Sequence, residues 1–429
     1  MQVAKKQLTE TNVQLTITAD TALLSQVKQE VLMHLNNTQI KVQGFRSGKA
    51  PLSLVEKQVE PSVLQNEFLD RIINELYIGA IAQEHIRPVE RPQVTIKKFV
   101  PFSALEVEIV VEAVGAVKLS DYKKVKLEKK PVKITAKDVD DVVEALRVRA
   151  AEKKPVTRAA AKDDEVIINF AGTDTKTGES ISGADGTEYP LILGSNSFIP
   201  GFEDNLIGVK PGEEKSFDLT FPKDYGVKAL QDRKITFKTT VVTVNEQTKP
   251  KVDDAFAAQV GPFKTVTELK ADIKKQLELE RQQQSDRDYE NELIEKITDQ
   301  ATVALPKALV DEEIERIESE ERQNVLYRGQ TWEEHLESEG VTAEVHQEQK
   351  RPVAEKRVKA GLVLSEIAEA ENVDVSKEEL EIRLQILKGQ YQDKQMLAEL
   401  DKPENRRDIA SRIVTEKTVQ KLVDYATAK

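Results

Sequence analysis

The sequence has no cysteine, one tryptophan and four histidines in 429 residues. Without cysteine there is no disulfide framework and no thiolate nucleophile, and a reducing, cytoplasmic compartment is the expected home. His34, His85, His335 and His346 show no metal-ligand spacing, and His335 and His346 fall on charged helical stretches where a solvated surface is expected. Long apolar runs are also missing. No stretch approaches the roughly 18 uninterrupted apolar residues of a membrane span, and even "ALEVEIVVEAV" is interrupted by glutamates, so no membrane partner is expected. The N-terminus lacks the apolar core of a signal peptide. Aromatic residues are scarce at 5%. A net charge of −12 excludes bulk attraction to nucleic acid and leaves RNA contact to a local basic patch.

What is abundant is charge, at 32% against 39% hydrophobic residues, a balance that suits long solvated amphipathic helices better than one compact enzyme core. The length calls for roughly two to four domains. The pattern predicts a multidomain α+β protein. In residues 1–115, "VQLTIT" alternates as a strand, Asp20 caps a helix, and helices near 51–59 and 62–84 precede two strands, "PQVTIKKF" and "ALEVEIVVEAV". Residues 116–156 read as a connector with a helix from Thr135 to Lys153, whose stripe of Ala136, Val139, Val142, Val143 and Leu146 must pack on something. Residues 157–247 change to short strands and Gly/Pro turns, a compact antiparallel sheet domain with a short helix near Phe202. Residues 248–429 are almost wholly helical. Thr267 heads one helix and Pro306 begins another, Pro352 starts or kinks a third, and Ser376 with Glu379 forms a capping box. Asp311, Glu312 and Glu313 near a helix start look like dipole complements.

The stretch "GFRSGKAP", Gly44 to Pro51, has the outline of a phosphate-binding loop, but its spacing rules that out. A P-loop needs four residues between its glycines and a Ser or Thr after the lysine; here three separate Gly44 from Gly48, and Ala50 follows Lys49. What remains is a tight turn carrying Phe45, Arg46, Ser47 and Lys49, with Pro51 suited to open the next helix. An aromatic ring beside a guanidinium makes a docking tip, though a plain surface turn has the same composition. Residues 1–60 carry seven cations against five carboxylates, a local excess of positive charge around this turn.

Taken in order, "GFRSGKAP", the run "INFAG…LILGSNSFIPGFEDNLIGVKPGEE…FPKDYG…ITF" and "AEKRVKAGLVLSEIAEAENV" resemble the bacterial trigger factor family over essentially the whole chain. The resemblance implies an N-terminal ribosome-binding domain, a middle FKBP-like prolyl isomerase domain, and a discontinuous helical body with arms that the connector helix joins. It implies that Gly44, Phe45, Arg46, Ser47, Gly48 and Lys49 form the ribosome-docking loop, facing an acidic protein surface and nearby ribosomal RNA at the polypeptide exit of the large subunit. Family members commonly carry lysine where this chain has Ser47. Nascent and unfolded polypeptides are the implied clients, and a weak homodimer away from the ribosome is implied as well.

Rotation about an X–Pro bond faces a barrier of roughly 18–20 kcal/mol, and an apolar pocket can lower it without nucleophile, metal or cofactor by desolvating the imide and favouring its twisted form. By resemblance to the FKBP pattern, Phe170, Tyr189, Phe198, Ile199, Phe202, Tyr225 and Phe237 line that pocket. The same rings also suit the core of a small β domain, Phe170 and Phe237 most of all. Phe202 stands where many FKBPs have tryptophan, and Ile181–Ser182 where they carry a Phe–Asp pair. No ATP motif is visible. The expected function is an ATP-independent chaperone at the ribosomal exit with an embedded prolyl isomerase. The alternatives are a stand-alone isomerase with substrate-recruiting domains, or a non-catalytic adaptor.

Overall fold

The computed structural model describes residues 1–225 and 230–428, apart from the side chain of Ser182; Gly226, the end of the FKBP-like "FPKDYG" run, lies outside the described residues. The chain falls into two compact units. One contains Met1–Leu127, Glu290–Asn324 and the chain from Gln347 onward; the other contains Glu128–Tyr289 and Val325–His346.

The first unit opens with strands β1 (Gln2–Gln7) and β2 (Asn12–Thr18), helices α1 (Thr21–Thr38), α2 (Leu52–Gln58) and α3 (Pro61–Gln83), then strands β3 (Gln93–Val100) and β4 (Ala104–Glu112). The strands form an antiparallel sheet in the order β1-β2-β4-β3. Alternation on β2 and β4 turns Leu15, Ile17, Val107 and Ile109 inward, against a row on α3 spaced four apart, Phe68, Ile72, Leu76 and Ala80. Asp20 caps α1 as expected, accepting from the Leu23 amide at 2.8 Å. Pro51 is one step earlier than the sequence suggests: it is the N-cap of α2, with ψ 135, rather than its first helical residue.

The second unit begins with α4 (Ala136–Arg149), capped by Thr135 in a reciprocal box with Asp138. Four residues of the predicted helix are lost, because the chain turns at Ala150 into β5 (Glu152–Val156). That lysine-rich strand joins a five-stranded antiparallel sheet with β6 (Glu165–Asp174), β7 (Ser180–Ile192), β8 (Glu214–Thr220) and β9 (Lys234–Thr248). A short helix α5 (Phe202–Leu206) lies between β7 and β8. The turn "KPGE" has Gly212 at φ +81 and closes from the Glu213 amide to the Lys210 carbonyl, as Pro followed by Gly predicts. Next come α6 (Asp254–Val260) and α7 (Val266–Gln300), which starts one residue before Thr267. The apolar stripe of α4 finds its partners here: Val139 and Val143 are buried with Phe256, Ala257, Leu269 and Ile273, while Ala136 stays exposed.

The remaining helices are α8 (Lys307–Tyr327), α9 (Trp332–Glu339), α10 (Ala343–Ala370), α11 (Lys377–Lys388), α12 (Lys394–Leu400) and α13 (Pro403–Thr427). Pro352 does not start α10; it lies inside the helix, which leaves the second alternative, a kink. Asp311 and Glu313 do more than complement a helix start: they pair with Arg351 at 3.3 Å and Arg357 at 3.2 Å, tying α8 to α10 around the small core of Val310, Ile314 and Ala354. The predicted capping box of Ser376 and Glu379 is present. The expectation of solvated histidines also fails. His346 is fully buried and His335 half-buried, because both rings pack on Trp332 with centroids 5.1 and 5.2 Å away.

Two buried or half-buried carboxylates organise the first unit. Glu112, at the end of β4, accepts from the Lys307 and Ala308 amides at 2.8 and 3.1 Å and so caps α8 across 195 positions of sequence. Glu371 accepts from the Tyr122 and Tyr425 hydroxyls, both at 2.7 Å, and pairs with Lys123 at 2.7 Å and Lys421 at 3.0 Å. Lys123 first, then the two tyrosines and Lys421, hold its carboxyl well below the usual range. A carboxyl depressed on folding contributes stability above its unfolded pKa, and that contribution is lost as pH falls through the folded value. Thermal melts followed by circular dichroism between pH 7 and pH 3 are expected to show Glu371→Gln melting several degrees lower at pH 7, with the gap to wild type narrowing as pH falls. A gap that stays constant across that range would remove the electrostatic role.

Candidate functional sites

The docking turn is built by its glycines and a nearby asparagine. Gly44 and Gly48 adopt φ +89 and +78, in the left-handed region that other residues resist, and a Cβ on Gly48 would meet the Asn37 side chain at 2.1 Å. The backbone is then pinned: the Gly48 amide donates to the Asn36 carbonyl at 3.0 Å, the Lys49 amide to the Arg46 carbonyl at 2.9 Å, and the buried Asn36 side chain to the Ala50 carbonyl at 2.9 Å. Ser47 turns back on the helix end, its hydroxyl donating to the Asn37 carbonyl at 3.3 Å. Phe45 is thereby left 46% exposed, with Arg46 and Lys49 exposed beside it. Among the described residues Arg46 makes no ion pair.

In the sheet domain the scarce aromatics converge. Phe202, fully buried on α5, is the centre: its ring lies 4.4 Å from Phe198, 5.2 Å from Phe217 and Phe237, and 5.8 Å from Phe170. Phe198 lies tilted over it, at 33°, while Phe170 and Tyr189 meet Phe198 edge-on at 5.4 Å each. Tyr189 forms the open rim at 44% exposure. Ile199 is half-buried against the same core. Phe237 is buried beneath Phe202, as a core residue would be. Tyr225 stands apart: its ring packs edge-on against Phe221 at 4.5 Å, and Phe221 in turn touches Phe237.

Local irregularities of β6 and β7 aim two of these rings. Ile168 pairs with Tyr189 but Phe170 pairs with Gly186, so β7 carries one extra residue between them. That bulge places Glu188 at φ +52, and the Asn169 side chain closes it by accepting from the Glu188 amide at 2.7 Å. Gly186 makes room: a Cβ there would lie 2.6 Å from the Phe170 ring. The residues missed by the sequence reasoning are Phe217 and Phe221, although the alternation in "SFDLTFP" carried the signal; Phe217 stands directly opposite Phe237 in the β8–β9 register. Ile181, where FKBPs commonly have a ring, is buried in this core, and the side chain of Ser182 lies outside the described residues.

Residues 1–146 match the family described as bacterial trigger factor protein, residues 265–424 the trigger factor C-terminus, and residues 156–243 the FKBP-type peptidyl-prolyl cis-trans isomerases. The trigger factor of Carboxydothermus hydrogenoformans is 34% identical over 431 residues, covering 100% of both chains. The chain belongs to the trigger factor family. The Halothermothrix orenii trigger factor is 29% identical over 99% of both chains, and that of Shouchella clausii 35% identical over 82% of this chain and 81% of its own. A solved trigger factor chaperone structure covers 99% of both chains at 20% identity and a TM-score of 0.47. This trigger factor is therefore a chaperone with an FKBP-type peptidyl-prolyl cis-trans isomerase domain. Among its described residues no helix is long and apolar enough to cross a membrane.

Proposed function

We propose that this trigger factor docks through Phe45, Arg46 and the turn 44–49 on the large ribosomal subunit in the cytoplasm, shields emerging chains without ATP, and isomerises their X–Pro bonds in the Phe202-centred basin. The observation that carries the docking half is the pinned turn with an exposed ring and an exposed guanidinium at its apex. Arg46 and Lys49 suit an acidic protein surface with RNA phosphate beside it. Because Ser47 is spent on closing the turn, docking rests on two cations rather than three. Domains 1–115, 116–156, 157–247 and 248–429 divide the work as binding, joining, isomerising and holding. Exposed apolar side chains on the helices, Leu326, Tyr327, Ile382 and Ile386, are available to clients and, away from the ribosome, to a second copy. Pelleting of the full chain with large subunits, with and without Phe45→Ala/Arg46→Ala, tests the docking.

For catalysis the basin needs only to exclude water from a proline imide and fit its twisted form. Phe198, Phe170 and Tyr189 supply walls over the Phe202 floor, with Ile199, Phe237 and Tyr225 behind them. Tyr189→Ala is the clean probe, since Tyr189 is 44% exposed and its loss leaves the core intact. In a proline-limited refolding assay kcat/KM is expected to fall roughly 2- to 10-fold, the worth of an aromatic pair, with a melting temperature close to wild type. An unchanged rate would move the site away from this rim.

A further inference from the structure

Glu203 is a buried carboxylate that neither docking nor the aromatic basin uses. It follows the floor residue Phe202 on α5, and its two oxygens gather the loop 194–198. Oε2 accepts from the Gly194 amide at 2.7 Å and the Asn196 amide at 3.0 Å. Oε1 accepts from the Ser197 amide at 2.8 Å, the Phe198 amide at 3.3 Å, the Ser195 hydroxyl at 3.1 Å and the Ser197 hydroxyl at 3.4 Å. The anchor also holds Asn196 at φ +56, a left-handed conformation that residues other than glycine rarely adopt. Burial pushes the Glu203 carboxyl up, but the amides of Asn196, Phe198 and Gly194 outweigh it and leave it below its ordinary value. Backbone dipoles, rather than a cation, thus keep it ionised.

The loop ends at Phe198, whose ring lies on Phe202. Floor and anchor are consecutive residues, so the carboxylate sets how far the loop can lift and therefore the spacing of the two rings. We propose that Glu203 is a positioning residue for prolyl isomerisation: it holds Phe198 over Phe202 in the geometry that receives the twisted imide. This rests on the reading that those two rings line the catalytic basin.

The test uses the full chain in a proline-limited peptide assay below the melting transition, with hydrogen exchange at residues 194–198. Glu203→Gln turns one acceptor into a donor facing amide donors. It is expected to lower kcat about 10-fold with KM within about twofold, and to speed exchange in the loop; a purely structural role would lower the melting temperature and leave kcat intact. Should that variant fail to fold, Ser195→Ala, which removes one donor and no charge, carries the test with an expected 2- to 5-fold loss of kcat. Phe198→Ala separates the two readings. If Phe198→Ala lowers kcat but Glu203→Gln loosens the loop without lowering it, positioning by Glu203 is overturned. If Phe198→Ala itself leaves kcat unchanged, the basin reading fails and the positioning role with it.

Discussion

Phe202→Ala is expected to abolish prolyl isomerisation and to destabilise the sheet domain by about 3–5 kcal/mol, the usual cost of truncating a buried phenylalanine. The site leaves little scope for repair. Phe202 is fully buried and touches four other rings, and those rings come from β6, β8, β9 and the 194–198 loop, so no single neighbour can collapse into the hole. Since a domain is stable by roughly 5–15 kcal/mol, the variant is expected to stay folded at low temperature while melting well below wild type. Phe202→Leu separates fold from chemistry, because it keeps most of the volume and loses the flat floor. Its expected cost is below about 1.5 kcal/mol, with activity still strongly reduced. Calorimetry and the proline-limited assay together decide; full activity in the leucine variant would make Phe202 a packing residue only.

Phe45→Ala/Arg46→Ala is expected to weaken ribosome association about 100-fold without affecting the fold. Phe45 is already half-covered by its own turn, so docking can bury only the exposed part of its ring, worth roughly 1–2 kcal/mol. A charge-assisted hydrogen bond from Arg46 adds about 1.5–3 kcal/mol. The sum, about 2.5–5 kcal/mol, corresponds to roughly two to four powers of ten in affinity, and the expected loss sits at its lower end. The turn survives because Gly44, Gly48 and Asn36 build it, and neither substituted side chain contributes to those contacts. Melting temperature is therefore expected to remain within a degree or two of wild type.

Much of the fold could be read from local pattern. The Asp20 cap and the Ser376–Glu379 box depend on residues three apart, and both are present. The losses have physical causes. β1 and β5 are "QVAKKQ" and "EKKPV", edge strands whose lysines erase the alternation that marks a half-buried strand. His335 and His346 gave no spacing signal, because Trp332 gathers them in space. The docking turn was legible because its chemistry is contiguous. In the basin, Phe198 and Phe202 lie on one run of sequence, whereas Phe217 reaches Phe237 through the β8–β9 pairing, so the alternation in "SFDLTFP" marks a strand without saying which ring it meets. Glu203 stood in plain view inside "IPGFED", but its work lies in six donors that only the folded loop brings together.

The direct test of the account is sedimentation of the full-length chain with purified large ribosomal subunits, comparing wild type and Phe45→Ala/Arg46→Ala over a titration of subunits. Wild type is expected in the pellet at moderate salt, and the folded double variant in the supernatant until subunits are raised about 100-fold. Equal pelleting of the two proteins at every concentration would contradict a tether made by this ring and this cation.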